Sequence, residues 1–282
     1  MFLCIMIQRF RYTVAELVPY IDWAYFFHAW QVKGDSEQGV ELKEDALQRL
    51  MGIASETGAE ALYRQVKAYS EGDDIVIKVE RSKSQKVEKT LLDPIDFQTI
   101  KLPMLRQQRL GADGVALCLA DFVQTTADSL GIFATTSALS LQTSDITNPY
   151  ESLMMQTLAT RLAEAAAEKL DEETRRMIEK SKSQKVNGAK GRGIRPAIGY
   201  PSLPDLSVNF LLDELIEMKS IGITLTENGA MDPPSSVSGL IIRHPAARYF
   251  SIGSISEEQF EDYTRRRGLT SERMRQFLRA VL

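Results

Sequence analysis

Between Pro149 and Glu179 apolar residues recur at helical spacing, and this stretch constrains the fold more than any other. Asn148 can cap its start, Pro149 suits a first turn, and Glu151 stands where a capping box wants a carboxylate. Leu158, Leu162, Ala165 or Ala166, and Leu170 then mark one face. A long helix with one apolar stripe needs a surface to lie on. The strand-like runs elsewhere supply it.

Residues 73–80, "DDIVIKVE", alternate as a half-buried strand does, whereas 60–70, "EALYRQVKAYS", fit helix or strand equally. The runs 114–123 and 130–138 are continuously apolar and of strand length. Strands are also expected at 223–227, 238–244 and 248–253. Leu42, Ala46, Leu50 and Ile53 predict a helix within 41–57, and the aromatic cluster 18–32 is too dense to be loop throughout. Ser207 can cap a helix running to Ser220 with Gly222 ending it; Ser256 with Gln259 makes a capping box for a helix ending at Gly268; Thr270 starts a last one. This order is mixed and not alternating, which gives α+β with antiparallel strands and flanking helices. Residues 180–193 read as a basic connector, and "SKSQKV" occurs at both 82–87 and 181–186, a copy without a physical account.

Several chemistries lack their residues. Only His28 and His244 are present, so a His-rich metal site cannot be built, and no metal is expected. Cys4 and Cys118 make no disulfide framework, which fits a reducing compartment, with the cytoplasm as default. There is no P-loop and no G-x-S-x-G elbow; the "GRG" at 191–193 follows a lysine-rich stretch and not a strand. A formal net charge of −4 argues against a nucleic-acid partner. The apolar opening "MFLCIMI" is too short to span a bilayer, and no membrane role is expected. The chain reads as a binder, with no catalytic residue assigned.

"RGIRPAIGYPSLPD", residues 192–205, packs three prolines and two glycines around two arginines and one tyrosine. Neither a helix nor an inner strand tolerates it. A guanidinium held on so stiff a segment offers a planar fork for a carboxylate or phosphate. The plainer alternative is that Arg195 pins the segment to Asp22 or Glu164 by a salt bridge. Tyr200 can be a core aromatic with a wetted hydroxyl, and Glu164 an ordinary solvated charge beside the helix stripe. Of Tyr249 and Phe250, one is expected to face the core while the other is free to stack on a ring. His244 is expected to orient a turn. One cation, acidic groups and a free aromatic suit a zwitterionic amino acid joined to a flat base, the inventory of S-adenosylmethionine.

These residues resemble the activation domain of cobalamin-dependent methionine synthase. The likeness runs from near Tyr12 to the C-terminus. It is carried by "YIDW..FF..W" (20–30), "CLADF" (118–122), "RLAEA" (161–165), "RGIRPAIGYPSLPD", "LTENGAMDPPSSVSG" (225–239) and "HPAARYFSIG" (244–253). The resemblance implies a curved α+β domain around a twisted antiparallel sheet, with 12–282 as that domain and 1–11 as an N-terminal extension or edge strand. It also implies S-adenosylmethionine as ligand. Arg195 would grip its carboxylate, the backbone near Ala197 and Tyr200 would complete the cradle, and Asp22, Glu164 and Tyr249 would match family site positions. Phe250 stands where the family commonly has a second tyrosine, Leu206 replaces a common histidine, and Asp232 a bulky tryptophan.

The function implied is reactivation. Such a domain docks over cobalamin oxidised to the inactive cob(II) state, a flavodoxin-type reductant supplies an electron, and S-adenosylmethionine returns the cofactor to methylcobalamin. No D-x-H-x-x-G corrinoid signature is present, so cobalamin is expected only through a partner, methionine synthase or another corrinoid protein. Two other readings stand beside this one: a docking protein that caps a cobalamin module without nucleotide, and an independent small-molecule methyltransferase.

Overall fold

The computed structural model describes residues 6–80, 97–111, 113–139, 147–181 and 193–282. It begins with strand β1 (Gln8–Thr13) and helix α1 (Val14–Leu17), where Thr13 and Glu16 form a reciprocal capping box. Helices α2 (Trp23–Ala29) and α3 (Glu37–Gly52) follow, capped by Asp22 and Ser36. Then come strands β2 (Thr57–Glu71), β3 (Asp74–Glu80), β4 (Phe97–Pro103) and β5 (Asp128–Ser137). After them lie helices α4 (Pro149–Ser181) and α5 (Val208–Ile216), strands β6 (Thr224–Leu225), β7 (Met231–Asp232) and β8 (Ser236–Ile241), and helices α6 (Glu257–Arg267) and α7 (Ser271–Phe277). β1 spans the expected boundary after residue 11, and Met1–Ile5 lie outside the described residues.

The fold is α+β around an antiparallel sheet ordered β4-β3-β2-β5-β8. β2 is long enough to serve two neighbours on one edge: β1 pairs with its first half and β3 with its last residues, while β5 runs along the other edge. Successive side chains of a strand face opposite ways. Ala59, Ala61, Tyr63, Phe133, Val237 and Ile241 accordingly pack under α4, and Leu62, Val66, Ile132, Ala134 and Leu240 pack under α5. Both faces of the sheet are covered. That is why 60–70 shows no clean strand alternation and 130–138 reads as one apolar run. A third cluster joins α6 and α7 to Leu105 and Ile252.

The stripe on α4 lies against the sheet, with Leu158, Leu162, Ala165, Ala166 and Leu170 all buried. Asn148 caps the helix by accepting hydrogen bonds from Tyr150 N and Glu151 N, and the Glu151 carboxylate points toward Arg49 instead of closing a box. Leu162→Ala should destabilise the protein by about 2–5 kcal/mol through lost burial and a residual cavity, read as a lower urea midpoint at unchanged slope.

Several expectations need correction. The run 114–123 is not a strand: Asp121 accepts from Cys118 N, the Arg106 guanidinium takes the Ala116 carbonyl, and Leu119–Phe122 coil into a 3-10 turn. The helix after Ser207 ends at Ile216, because Asp213 captures Met218 N–H with its side chain and Glu217 turns left-handed at φ 54°. Ser207 makes no cap; its hydroxyl accepts from Arg267 instead. Residues 248–253 form no strand, and only Thr224–Leu225 of 223–227 pair as one. At the start of α6 Ser256 does cap, but the Gln259 amide spans both backbone groups of Arg106 and closes no box. Thr270 caps α7 as expected. The connector 180–193, from residue 182 to 192, and the "SKSQKV" copies, apart from Ser181 at the end of α4, lie outside the described residues. Among the described residues no helix is long and apolar enough to cross a membrane.

Candidate functional site

The proline-rich segment is the irregular border of the sheet. Ile194 exchanges backbone hydrogen bonds with Ile242, the Pro196 carbonyl accepts from Leu240 N, and Ile198 N donates to the Ser238 carbonyl. Pro196 has no N–H to leave unpaired, so a proline is tolerated on this edge. The approach is close enough to require glycine at position 239, where a Cβ would stand 2.2 Å from the Pro196 carbonyl oxygen. Gly199, at φ 86°, then turns the chain, and Leu203 N closes the turn on the Tyr200 carbonyl. At the far end Asp205 accepts from Ser207 N, the Tyr263 hydroxyl and the Arg267 guanidinium. Both ends of the segment are thus anchored.

Held this way, the segment forms one wall of a cleft of about 820 Å³. The opposite side is built by residues 19–25 ahead of and within α2, the exposed flank of α4, and residues 249–251. All seven residues expected at a site, Asp22, Glu164, Arg195, Ala197, Tyr200, Tyr249 and Phe250, line it.

Their individual settings differ. The Arg195 side chain is 13% exposed, its guanidinium lies 5.4 Å from the Phe133 ring centroid, and its Nε is buried without a partner. It does not pair with Asp22, which caps α2 by accepting from Ala24 N at 2.9 Å. The nearest carboxylate to Arg195 is Glu168, Oε2 to Nη2 3.3 Å, with Glu164 at 4.0 Å from Nη1. Glu164 accepts a short hydrogen bond from the Tyr200 hydroxyl. Burial and that carboxylate hold the Tyr200 phenol well above its ordinary range, so it stays a donor at any physiological pH. Tyr249 is 63% exposed, and its hydroxyl accepts from Arg195 N at 2.9 Å, tying the loop 244–253 to the segment. Phe250 packs partly into the core beside Phe122. Ala197 is buried and bridges Gly239, so its contribution to the cleft is backbone and methyl only.

Tyr25, Arg161 and Glu168 also line the cleft, although the sequence reading gives them no role there. For the two on α4 helical pitch contains the signal, since Arg161, Glu164 and Glu168 sit at i−3, i and i+4 and so share one face. The Arg161 guanidinium lies over the Tyr25 ring, 5.5 Å from its centroid, and both side chains line the cleft. Leu206 and Asp232 do not line the cleft; Leu206 packs between two core clusters and Asp232 pairs with Thr224. His244 Nδ1 accepts from Ala246 N and orients the turn, as expected. Burial pushes the Cys118 thiol up to about 12, which removes it as a nucleophile. Among the described residues no three His, Cys, Asp or Glu side chains converge to hold a metal.

Known proteins share this arrangement of chain. A family model described as the activation domain of vitamin B12 dependent methionine synthase matches residues 13–268. A crystal structure of the MetH reactivation domain bound to AdoHcy is similar at 31% sequence identity and a TM-score of 0.79, covering 98% of this chain and 90% of that one.

Proposed function

The chain belongs to the family of vitamin B12-dependent methionine synthase activation domains, and from that premise we propose that its cleft binds S-adenosylmethionine in support of cobalamin reactivation on a partner module. The observation that carries the reading is Arg195: a largely desolvated guanidinium with an unmet Nε, facing an 820 Å³ cleft with carboxylates and an exposed aromatic around it. A similar domain was crystallised with AdoHcy, which shares the amino-acid and adenosine parts of S-adenosylmethionine.

The residues divide the ligand's chemistry between them. Arg195 takes the carboxylate, where a charged hydrogen bond in low dielectric is strong. The carboxylates of Glu164 and Asp22 face the ammonium and sulfonium. Tyr249, with its ring exposed, offers a face to the adenine. The rigid anchoring of 194–205 lets these groups stand in place before binding, so little ordering is required of the protein. The ligand supplies a methyl group on a sulfonium; the protein's part is to orient it toward the cleft mouth and shield it from water. Cobalamin belongs to the partner, the cobalamin module of methionine synthase or a related corrinoid methyltransferase, with a flavodoxin-type protein as reductant.

Calorimetric titration with S-adenosylmethionine should show saturable heat. At a hundredfold excess over Kd the linked stabilisation is about 2.7 kcal/mol, a readily measured rise in melting temperature. Folded protein giving neither heat nor a thermal shift at millimolar ligand would leave the docking protein as the better account.

A further inference from the structure

Arg195 is engaged by two carboxylates of its own chain, and they are not equivalent. Glu164 is mostly covered and receives the Tyr200 hydroxyl hydrogen bond on its other oxygen. Glu168 is 59% exposed, and among the described residues its one ion pair is with Arg195 Nη2. A guanidinium has two planar forks, Nε with Nη2 and Nη1 with Nη2, and Nη2 belongs to both. Glu168 accepts from one of the two Nη2 N–H groups, so a ligand carboxylate on the same edge must displace it, and one on the other edge brings a further negative charge beside it.

We infer that Glu168 is an intramolecular stand-in for the ligand carboxylate: it holds the Arg195 guanidinium in its binding pose and gives way when a carboxylate-bearing ligand enters. The inference rests on the S-adenosylmethionine reading of the cleft. Three carboxylates around one guanidinium repel one another, so one must leave. Glu164 is retained by the hydrogen bond from Tyr200. Glu168, one turn further along and already largely in water, loses only an exposed ion pair on departure. Its release also explains how a buried cation can be kept aligned before binding without closing the site. In this role Glu168 is a positioning residue and makes no contact with ligand.

The test compares Glu168→Gln with wild type, by calorimetry, against S-adenosylmethionine and against its decarboxylated form. The latter keeps the sulfonium, an amine and the adenine but has no carboxylate. Removing the competing charge should tighten S-adenosylmethionine binding about two- to fivefold, the span of an exposed ion pair, while the decarboxylated ligand binds equally or more weakly. The ratio of the two affinities is the reading that a merely structural residue would not move, and circular dichroism with a melting curve verifies the fold. Equal tightening of both ligands, or no change with S-adenosylmethionine, overturns the inference. Weaker binding of S-adenosylmethionine overturns it too, since Glu168 would then be a partner of the ammonium. If wild-type protein binds neither ligand, the reading of the cleft itself fails and the stand-in role falls with it.

Discussion

Arg195→Ala is expected to weaken S-adenosylmethionine binding about tenfold to hundredfold, the range set by about 1.5–3 kcal/mol for a hydrogen bond to a charged group, while the fold survives. The structure explains why the two effects separate. The backbone of residue 195 is held by neighbours and not by its side chain: Ile194 bridges Ile242, Pro196 accepts from Leu240 N, and Arg195 N donates to Tyr249. Losing the guanidinium leaves Glu168 exposed to water and Glu164 still paired with Tyr200, so no carboxylate is stranded in the core. Arg195→Lys should recover only part of the affinity, because an ammonium keeps the charge and lacks the fork. The measurement is calorimetry beside a melting curve. A variant that loses melting temperature and keeps its affinity would make Arg195 a structural ion pair and nothing more.

Asp205→Ala should have the largest effect on stability, about 3–5 kcal/mol, because it strands a buried cation. Asp205 is 1% exposed and Arg267 7%, and the same carboxylate accepts the Tyr263 hydroxyl at 2.8 Å and Ser207 N at 2.8 Å. Removing it leaves three donors without their acceptor in a place water does not reach. The melting temperature should fall by roughly 6–15 °C. The double variant Asp205→Ala/Arg267→Met should lose less than the sum of its single changes, since the charge left behind is then gone as well. Additive losses would show that the pair is not coupled and that the cost arises from the Ser207 and Tyr263 contacts alone.

How much of this was legible beforehand depends on the distance over which each feature is decided. The cap at Asn148, the stripe Leu158–Leu162–Leu170 and the turns at Gly222 and Gly268 rest on neighbours within a few residues, and they stand in the structure much as the pattern implies. The seven residues named for the site came from motif resemblance joined to the chemistry of the residues, and the fold gathers them along one cleft. Glu168 lies one helical turn from Glu164, yet an exposed glutamate on a charged helix flank carries no mark of its partner. The apolar run 114–123 misled in the opposite direction: its strand character was cancelled by Arg106, a polar residue whose reach to Asp73, Ala116 and Asp121 no local pattern displays.

By itself, then, the sequence determined the elements governed by local rules: where α4 begins, which face of it is buried, that 194–205 could be neither helix nor inner strand. Only the tertiary structure decided what those elements meet. It made 60–70 a strand by offering β1, β3 and β5 as neighbours, and it made the proline-rich segment the border of β8. It also gave Arg195 to Glu168 and Tyr249, and Asp205 to Tyr263 and Arg267. The physical reason is that a local rule is set by backbone torsions and hydrogen bonds between near neighbours. An ion pair or a sheet edge joins residues far apart in the chain, and its partner is chosen by the packing of everything between.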